Sequence, residues 1–299
     1  MAGDRPVLGI ILMLCFCVLA PFADAIAKTL GGTIPLFQLL LARFALQAIF
    51  LSPIVAVTNR PWRTSRRMFW LTALRTVLHL IGVGAMFTAL QYLPFADAVA
   101  IAFVMPFIML LLGKFVLGEE VGPLRLLACL VGFIGTLLVI QPSFSEVGLP
   151  ALLPLVVAVD FALFMLVTRQ IAKEIDPISL QCVSGWMATA GLVLVLATVW
   201  QISGLEGVLI LPSQFDTILL VTIGLVGTAA HLLMTWSLRY APSATLAPMQ
   251  YLEIPFATII GYLVFGDFPN GLAALGIAIT IAAGLFVIYR EHENMSKLN

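Results

Sequence analysis

Ionisable side chains stand inside long apolar stretches of this sequence, away from the polar segments that would keep them in water. Arg43, His79, Asp160, His231 and Glu253 each lie near the middle of such a stretch. Placing one charge at the centre of a lipid bilayer costs about 2.5–3.5 kcal/mol on insertion scales, so these groups need a partner, water or a ligand. The chemistry that suits them is binding a polar solute or carrying a proton.

The stretches that hold these residues are typical of membrane helices. Hydrophobic residues make up 62% of the 299 residues and charged residues only 10%, which is far outside the usage of soluble domains. Apolar runs of about 20 residues cross a bilayer as helices. The sequence predicts ten of them, at residues 8–30, 34–57, 69–91, 95–117, 123–141, 149–171, 178–200, 216–239, 243–265 and 271–289. We expect an all-α integral membrane protein.

The pattern of helix ends occurs twice in the chain, 148 positions apart. At that single offset Tyr92 matches Tyr240, Pro94 matches Pro242, Gly113 matches Gly261, Gly118 matches Gly266 and Glu119 matches Asp267. Such self-similarity indicates internal duplication. We predict two five-helix repeats, at residues 1–142 and 143–299, and the odd number of spans makes them inverted, as in many secondary transporters.

Basic residues predict the orientation, because loops on the cytoplasmic side carry an excess of lysine and arginine. With a cytoplasmic N-terminus, the inner segments hold eleven basic residues: Arg5, Arg60, Arg63, Arg66, Arg67, Arg125, Arg169, Lys173, Arg239, Arg290 and Lys297. The outer loops hold none, unless Lys28 at the end of the first span is counted. Both termini are therefore expected in the cytoplasm.

Further polar and aromatic residues lie in or beside the same spans. They are Asp24, Arg75, Trp186, Trp236, Gln250 and Tyr251. Together with the five residues above, they are our candidates for a hydrated central cavity that binds substrate, with rings available for stacking. Glu253 is the strongest candidate, since Pro248 and Pro255 bracket it and free backbone carbonyls beside it.

A structural alternative stays open for these residues. Arg43 or Arg75 can pair with Asp24, Asp160 or Glu253 only to lock the helices together, with no part in binding. Proton carriage by the histidines or carboxylates is likewise open, because facilitated diffusion requires none of them.

Small residues predict where helices pack closely. Ala128, Gly132 and Thr136 repeat every four residues, as do Gly276, Thr280 and Gly284, and small residues let membrane helices approach each other. We expect these stripes to be helix contacts within each half. Whether they also pair two chains as a homodimer is left open by the sequence.

Several other classes of function find little support. Asp267 falls at a helix end, where it cannot share a buried aspartyl pair with Asp160, and neither G-x-S-x-G nor H-E-x-x-H occurs. The four cysteines sit in apolar runs without a metal-like pair, so no metal or cofactor is expected. The net charge of zero gives no reason to expect a nucleic-acid partner. A passive channel is the remaining alternative to a carrier.

The chain resembles a known transporter family. The segments 89–98, Pro106 and 117–119, and again 238–242, 251–255 and 265–267, are similar to the two EamA-type repeats of the drug/metabolite transporter superfamily, although the second repeat ends in Asp267 where glutamate is usual. The resemblance implies ten helices in two inverted halves, a bacterial inner-membrane location and carriage of small organic metabolites by alternating access.

A finer resemblance concerns the substrate. Arg75, 93–98, Arg125, 131–135, Thr168 and Arg169 are similar to a branch that includes riboflavin importers and S-adenosylmethionine importers. This implies a heterocyclic vitamin or nucleoside-like solute, with riboflavin as the leading single expectation. S-adenosylmethionine import and amino-acid export remain alternatives.

Overall fold

This computed structural model describes residues 5–61, 65–203, 208–267 and 269–296. Within these residues the protein forms twelve α-helices, which make ten helical segments because two pairs of them are interrupted rods. Trp62, Arg63 and Lys297 lie outside the described residues. The helices are α1 Pro6–Leu30, α2 Leu36–Val57, α3 Arg66–Tyr92, α4 Phe95–Ala102, α5 Met105–Val116, α6 Pro123–Val147, α7 Leu153–Ala172, α8 Pro177–Ser203, α9 Gln214–Tyr240, α10 Ser243–Leu246, α11 Glu253–Ile260 and α12 Gly271–Ser296. The segments α4–α5 and α10–α11 each form one interrupted rod.

The helical class is confirmed, and the predicted spans agree with the helices to within a few residues at most ends. Among the described residues, seven helices are long and apolar enough to cross a membrane: 6–30, 36–57, 66–92, 95–116, 149–172, 177–201 and 214–240. Two shorter apolar stretches lie at Leu126–Val139 and Gly271–Phe286. The remaining rod, 243–265, is broken into short pieces.

Helix starts follow local capping chemistry. The hydroxyl of Ser65 accepts a hydrogen bond from the amide of Met68 at the start of α3. At the start of α9, Ser213 and Asp216 cap each other's amides in a capping box, which satisfies donors that the first helical turn leaves unpaired. Prolines stand at the first or second position of α1, α5 and α7, where a missing amide costs nothing.

The two interrupted rods share their local geometry at the 148-residue offset. Pro94 and Pro242 take the same extended conformation, with ψ of 145° and 147°. Gly118 and Gly266 both have left-handed φ, 65° and 70°, which glycine adopts without steric cost. The amide of Glu119 donates to Gly113 at 3.0 Å, and the amide of Asp267 donates to Gly261 at 3.2 Å.

The helix breaks also correspond. The first rod breaks at residues 103–104, and the second passes through a 3₁₀ stretch at Ala247–Leu252 before α11 begins. Phe103 and Tyr251, again 148 positions apart, contact each other with ring centroids 5.9 Å apart. The interruptions thus meet in the interior of the bundle.

The other helices pack in long pairs: α1 against α9, α3 against α7, α2 against α8, and α6 against α12. In the last pair Gly135 and Gly276 lie against each other's backbone, so a side chain at either position would collide. We expected the small-residue stripes to make contacts within each half. Instead they face each other between the halves, because α6 and α12 run side by side over Tyr251, which also fills the space at Gly132 and Gly284.

Candidate functional site

A central cavity of about 100 Å³ lies where the interrupted rods meet the surrounding helices. Its walls come from α1, α2, α3, α4, α5, α7, α9 and α11. Most of the lining is apolar and aromatic, including Phe16, Phe87, Phe103 and Phe161. The cavity is smaller than ordinary ligand pockets, which are about 300–1,000 Å³, so a metabolite would have to separate these helices to enter.

Four of the eleven candidate residues line this cavity: Asp24, Arg43, His231 and Glu253. They come from four different helices, α1, α2, α9 and α11. The bundle therefore brings together charges that lie more than two hundred residues apart in the chain. A polar centre of this kind, enclosed by apolar walls, is an arrangement that binds a solute with few, well-placed polar contacts.

Arg43 is held in one orientation. Its Nη1 donates to Gln47 Oε1 at 3.2 Å, and its Nη2 lies 3.2 Å from His231 Nδ1. The guanidinium also lies flat against Gly227, where any side chain would collide with it. Since His231 Nδ1 also lies 2.9 Å from the carbonyl of Gly227, it can either accept from Arg43 or donate to that carbonyl.

The two carboxyl groups of the cavity are less well satisfied. Glu253 is 8% exposed, and Asp24 is partly buried. In the part of the chain that the structure describes, neither carboxyl accepts a hydrogen bond or lies within 4.0 Å of a cation.

Asp160 and His79 lie directly behind the cavity wall. Oδ2 of Asp160 packs against Gly82, a lining residue, and has no hydrogen-bond partner among the described residues. The ring of His79 contacts that of His231 at a tilt of 36°, with centroids 4.2 Å apart, and it also contacts the rings of Phe44 and Phe164. Both histidines, predicted to lie at matching depth, therefore contact each other.

Arg75 lies outside the cavity and is fully buried. Its guanidinium donates to Thr168, Gln181, Ser184 and Thr235 at 2.9–3.3 Å, and it sits 4.5 Å above the ring of Phe164. These four hydroxyl and amide oxygens come from α7, α8 and α9. Arg75 therefore ties α3 to three helices of the second half through neutral oxygens, and the carboxylate pairing that the sequence left open for it is not among its contacts in the described residues.

The other four candidates also lie away from the cavity lining. The Gln250 amide nitrogen contacts the sulfurs of Met109 and Met165, at 3.5 and 3.3 Å. Tyr251 is buried and donates to the carbonyl of Cys129 at 3.3 Å. Trp186 is 48% exposed and donates to Ser52 at 3.0 Å, and Trp236 is partly buried.

Sequence reasoning missed the aromatic walls. Phe16, Phe87, Phe103 and Phe161 stand in apolar runs, where they are indistinguishable from core or lipid-facing phenylalanines. Their helical phase alone carries no signal, because every face of these segments is apolar.

Two clusters at opposite ends of the α4–α5 rod were also missed. At one end Glu119 accepts from Arg169 Nε at 3.3 Å and from the amide of Ser243 at 3.2 Å; we name this the Glu119 cluster. At the other end Asp267 accepts from Lys28 Nζ at 3.2 Å and from the amide of Phe95 at 3.0 Å; we name this the Asp267 cluster. A rod of this length separates them by roughly 30 Å at 1.5 Å per residue.

Comparison with known proteins matches this architecture. The model of the EamA-like transporter family matches residues 7–141 and, a second time, residues 148–290. An S-adenosylmethionine uptake transporter of Rickettsia prowazekii is 27% identical over 96% of this chain and 95% of its own. A riboflavin transporter of Rhizobium johnstonii is 30% identical over 78% of this chain and 72% of its own, and one of Vibrio cholerae is 23% identical over 96% and 95%.

The fold is also present among solved structures. A protein crystal structure that is 18% identical superposes with a TM-score of 0.67 over 93% of this chain and 95% of its own. At this identity the likeness concerns the fold alone. The family model, by contrast, covers nearly the whole chain in two consecutive matches. The chain therefore belongs to the EamA-like transporter family and is a multi-pass membrane protein.

Proposed function

We propose that this protein is a secondary transporter of the bacterial inner membrane that moves a small heterocyclic metabolite by alternating access. The observation that carries the proposal is the central cavity in which Asp24, Arg43, His231 and Glu253 converge within apolar walls. Charged side chains at that depth are costly unless they serve a solute pathway. Family membership supports a carrier in preference to an enzyme or a passive channel.

The proposed architecture is two inverted halves, residues 1–142 and 143–299, that enclose the site. Its support is the recurrence of local geometry at one offset: the proline caps, the left-handed glycines and the Glu119 and Asp267 amide bonds. The two matches of the family model divide the chain at the same place. In transporters of this design, substrate binds near the bilayer midplane between discontinuous helices. The cavity here is likewise lined by residues of the two interrupted rods.

The Glu119 and Asp267 clusters supply a means of closing the cavity at either end. Each one joins the two halves, since Glu119 binds Arg169 and Ser243 of the second half, and Asp267 binds Lys28 and Phe95 of the first. They correspond at the repeat offset, because residue 95 matches 243 and residue 119 matches 267. Both are formed in this structure, and in our proposal opening one end of the pathway requires breaking one cluster while the other holds.

The four hydrogen bonds that Arg75 donates, which we name the Arg75 network, hold the two halves together near the Glu119 cluster. The Arg75 partners Thr168, Gln181 and Thr235 lie toward the end of the bundle that carries the Glu119 cluster, separated from the cavity by the rings of Phe164 and His79. A buried guanidinium that loses its hydrogen-bond acceptors is left unsolvated, which is costly for a charged group. The halves therefore have to exchange these hydrogen bonds for others, or for water, when that end opens.

We consider two candidate substrates, and each is the solute for which some of the relatives are named. Riboflavin, the leading expectation from the sequence, offers a flat ring to the phenylalanine walls. S-adenosylmethionine offers an adenine ring together with charged groups for Asp24, Arg43 and Glu253. The relatives named for S-adenosylmethionine uptake match over 92–96% of this chain, and the riboflavin transporters match over 78% in two cases and 96% in a third, so coverage does not decide between the two solutes.

Reconstituted protein tests the function. We expect liposomes that contain it to take up one of the two labelled solutes with saturable kinetics. Glu253→Gln should lower the initial rate by about tenfold or more, because hydrogen bonds to a charged group contribute about 1.5–3 kcal/mol. Glu174→Gln makes the same exchange at an exposed surface ion pair and should leave the rate within about twofold. Uptake no greater than that of empty liposomes for every tested solute, or flux that never saturates, would refute the carrier function.

A further inference from the structure

The cavity contains more acidic groups than basic ones. Its lining includes two carboxyl groups, Asp24 and Glu253, and one guanidinium, Arg43. A third carboxyl, that of Asp160, adjoins the wall at Gly82 with its buried Oδ2 unpartnered in the described part of the chain. His231 adds no fixed charge, since imidazole is mostly neutral at pH 7. The formal charge of the lining is therefore negative when both carboxyls are ionised.

The single lining guanidinium does not balance this excess at every position. The hydrogen bonds of Arg43 go to Gln47 and His231 and not to a carboxyl. Glu253 is the more buried of the two lining carboxyls, and in the described part of the chain no cation lies within 4.0 Å of it. Glu253 is thus the more enclosed lining carboxyl and has no ion-pair partner among the described residues.

The second buried arginine cannot supply that counter-charge from where it stands. Arg75 already donates to four neutral oxygens. The rings of Phe164, His79 and His231 contact one another in that order, from the guanidinium of Arg75 to the cavity wall, and so separate Arg75 from the cavity. Any positive charge that reaches Glu253 therefore has to come from the pathway itself, as a solute or a proton.

The remaining walls also suit a cation. Phe16, Phe87, Phe103 and Phe161 line the same cavity as the carboxyls, and aromatic faces attract a desolvated cation by about 2 kcal/mol. A neutral solute would fill the same apolar space only with the enclosed carboxyl protonated, because an uncompensated carboxylate there is costly, whereas a cation binds the ionised carboxylate directly. The walls and the carboxyls therefore favour the same kind of ligand.

We propose that this cavity selects heterocyclic solutes that carry a net positive charge, with Glu253 as the principal counter-ion and Asp24 as the second. The inference rests on the proposed function, because it names the substrate class of that same site. It favours S-adenosylmethionine-like chemistry over neutral riboflavin, on the charge of the cavity and independently of the names of the relatives.

Two ligands that differ by one charge test this directly. S-adenosylmethionine carries a methylated sulfonium, whereas S-adenosylhomocysteine is the same molecule with a neutral thioether in its place. We expect purified full-length protein to bind the sulfonium compound about tenfold or more tightly by calorimetry, since a close pair of opposite charges contributes at least 1.5 kcal/mol in buried interfaces. Riboflavin is the neutral aromatic control.

Variants locate the origin of the preference. Glu253→Gln should reduce the difference between the two ligands to about threefold or less, and Asp24→Asn should reduce it partly. Glu174→Gln, at an exposed ion pair, should leave it unchanged. The ligand comparison on the unaltered protein needs no variant, so a Glu253→Gln protein that fails to fold does not prevent the test.

The outcomes separate the two proposals. Equal binding of the two adenosyl compounds, or tighter binding and faster uptake of riboflavin, would overturn the charge inference and leave the transporter function standing. A preference that survives Glu253→Gln and Asp24→Asn would overturn the assignment of the counter-ions. If none of the three solutes is bound or transported, the proposed function fails, and the charge inference fails with it.

Discussion

At the scale of single residues, the orientation of Arg43 depends on the absence of a side chain at Gly227. The guanidinium occupies the space that a Cβ would take, while Gln47 and His231 hold its edges. Glycine inside a helix costs about 0.5–1 kcal/mol relative to alanine. The position therefore sacrifices some helix stability in favour of the placement of one charge.

Gly227→Ala should separate these two effects. The new methyl group displaces the guanidinium, so we expect uptake to fall by about tenfold or more, the equivalent of one lost charge-assisted hydrogen bond. Helix propensity predicts that the melting temperature will not fall, because alanine is the better helix former. The measurements are initial uptake rate and thermal unfolding in detergent.

Gly191→Ala is the matched control. Gly191 also lies inside a helix, α8, but open space surrounds the position of its Cβ. We expect its uptake rate to equal that of the unaltered protein. Equal uptake by Gly227→Ala would show that the placement of Arg43 has no part in transport.

At the scale of elements, the interrupted rods couple the site to both ends of the bundle. Glu253 begins α11 directly after the 3₁₀ stretch, and the same rod continues to Gly266 and the Asp267 cluster. The first rod runs from Phe95, within that cluster, past Phe103 to Glu119. A shift of either rod at the cavity is thereby transmitted to the contacts that join the halves.

Weakening one cluster should bias the protein toward opening at that end. We expect Asp267→Asn to raise the labelling of an introduced cavity cysteine, Ala102→Cys, by a membrane-impermeant thiol reagent added from the side of the Asp267 cluster. Glu119→Gln should raise it from the opposite side. Loss of hydrogen bonds to a charged group contributes about 1.5–3 kcal/mol, enough to shift such a population by about tenfold or more.

The native cysteines have to be replaced first, because Cys15 is exposed. Glu174→Gln serves as the control, since its ion pair with Arg67 lies at the surface, with 52% and 65% of the side chains exposed. Labelling that rises from the same side in both variants would contradict the assignment of the two clusters to opposite ends of one pathway.

At the scale of the whole molecule, orientation follows from the distribution of arginine and lysine. The segments that contain Arg60, Arg67, Lys173 and Arg239 lie at the same end of the bundle as the Glu119 cluster, joined there by the Arg60–Asp176 and Arg67–Glu174 ion pairs. We propose that this end faces the cytoplasm, together with both termini, as the positive-inside bias favours.

Reporter fusions test this orientation. Fusions after residue 60, after residue 174 and at the C-terminus should be active with a cytoplasmic reporter, and fusions after residues 33 and 210 with a periplasmic one. A periplasmic C-terminus together with cytoplasmic fusions after residues 60 and 174 would contradict the even number of spans and the inverted arrangement of the halves, and a periplasmic result at all three sites would contradict the proposed orientation.

Much of the fold could be predicted from the sequence, because the helices and the family motifs depend only on the order and spacing of residues along the chain. Runs of apolar residues predicted the helices, and the motifs at the ends of the interrupted rods predicted the family, a resemblance that the family model confirms. The breaks themselves were not predicted in detail. Pro248 and Pro255 indicated a disturbance near Glu253, and Pro106, the second residue of α5, stands directly after the corresponding break at residues 103–104, where it supplies no amide to continue α4.

The sequence by itself determined that the chain is a helical membrane protein with a duplicated pattern and a few ionisable groups at bilayer depth. Each of these features depends only on residue type and on spacing along the chain. Only the tertiary structure decided which of those groups share a cavity. Asp24, Arg43, His231 and Glu253 line it, whereas Arg75 ties helices together and Trp186 reaches the outer surface. The reason is that a helix with apolar residues on every face gives no sequence signal for which face points inward. That rotation about the helix axis is set by the neighbouring helices it packs against.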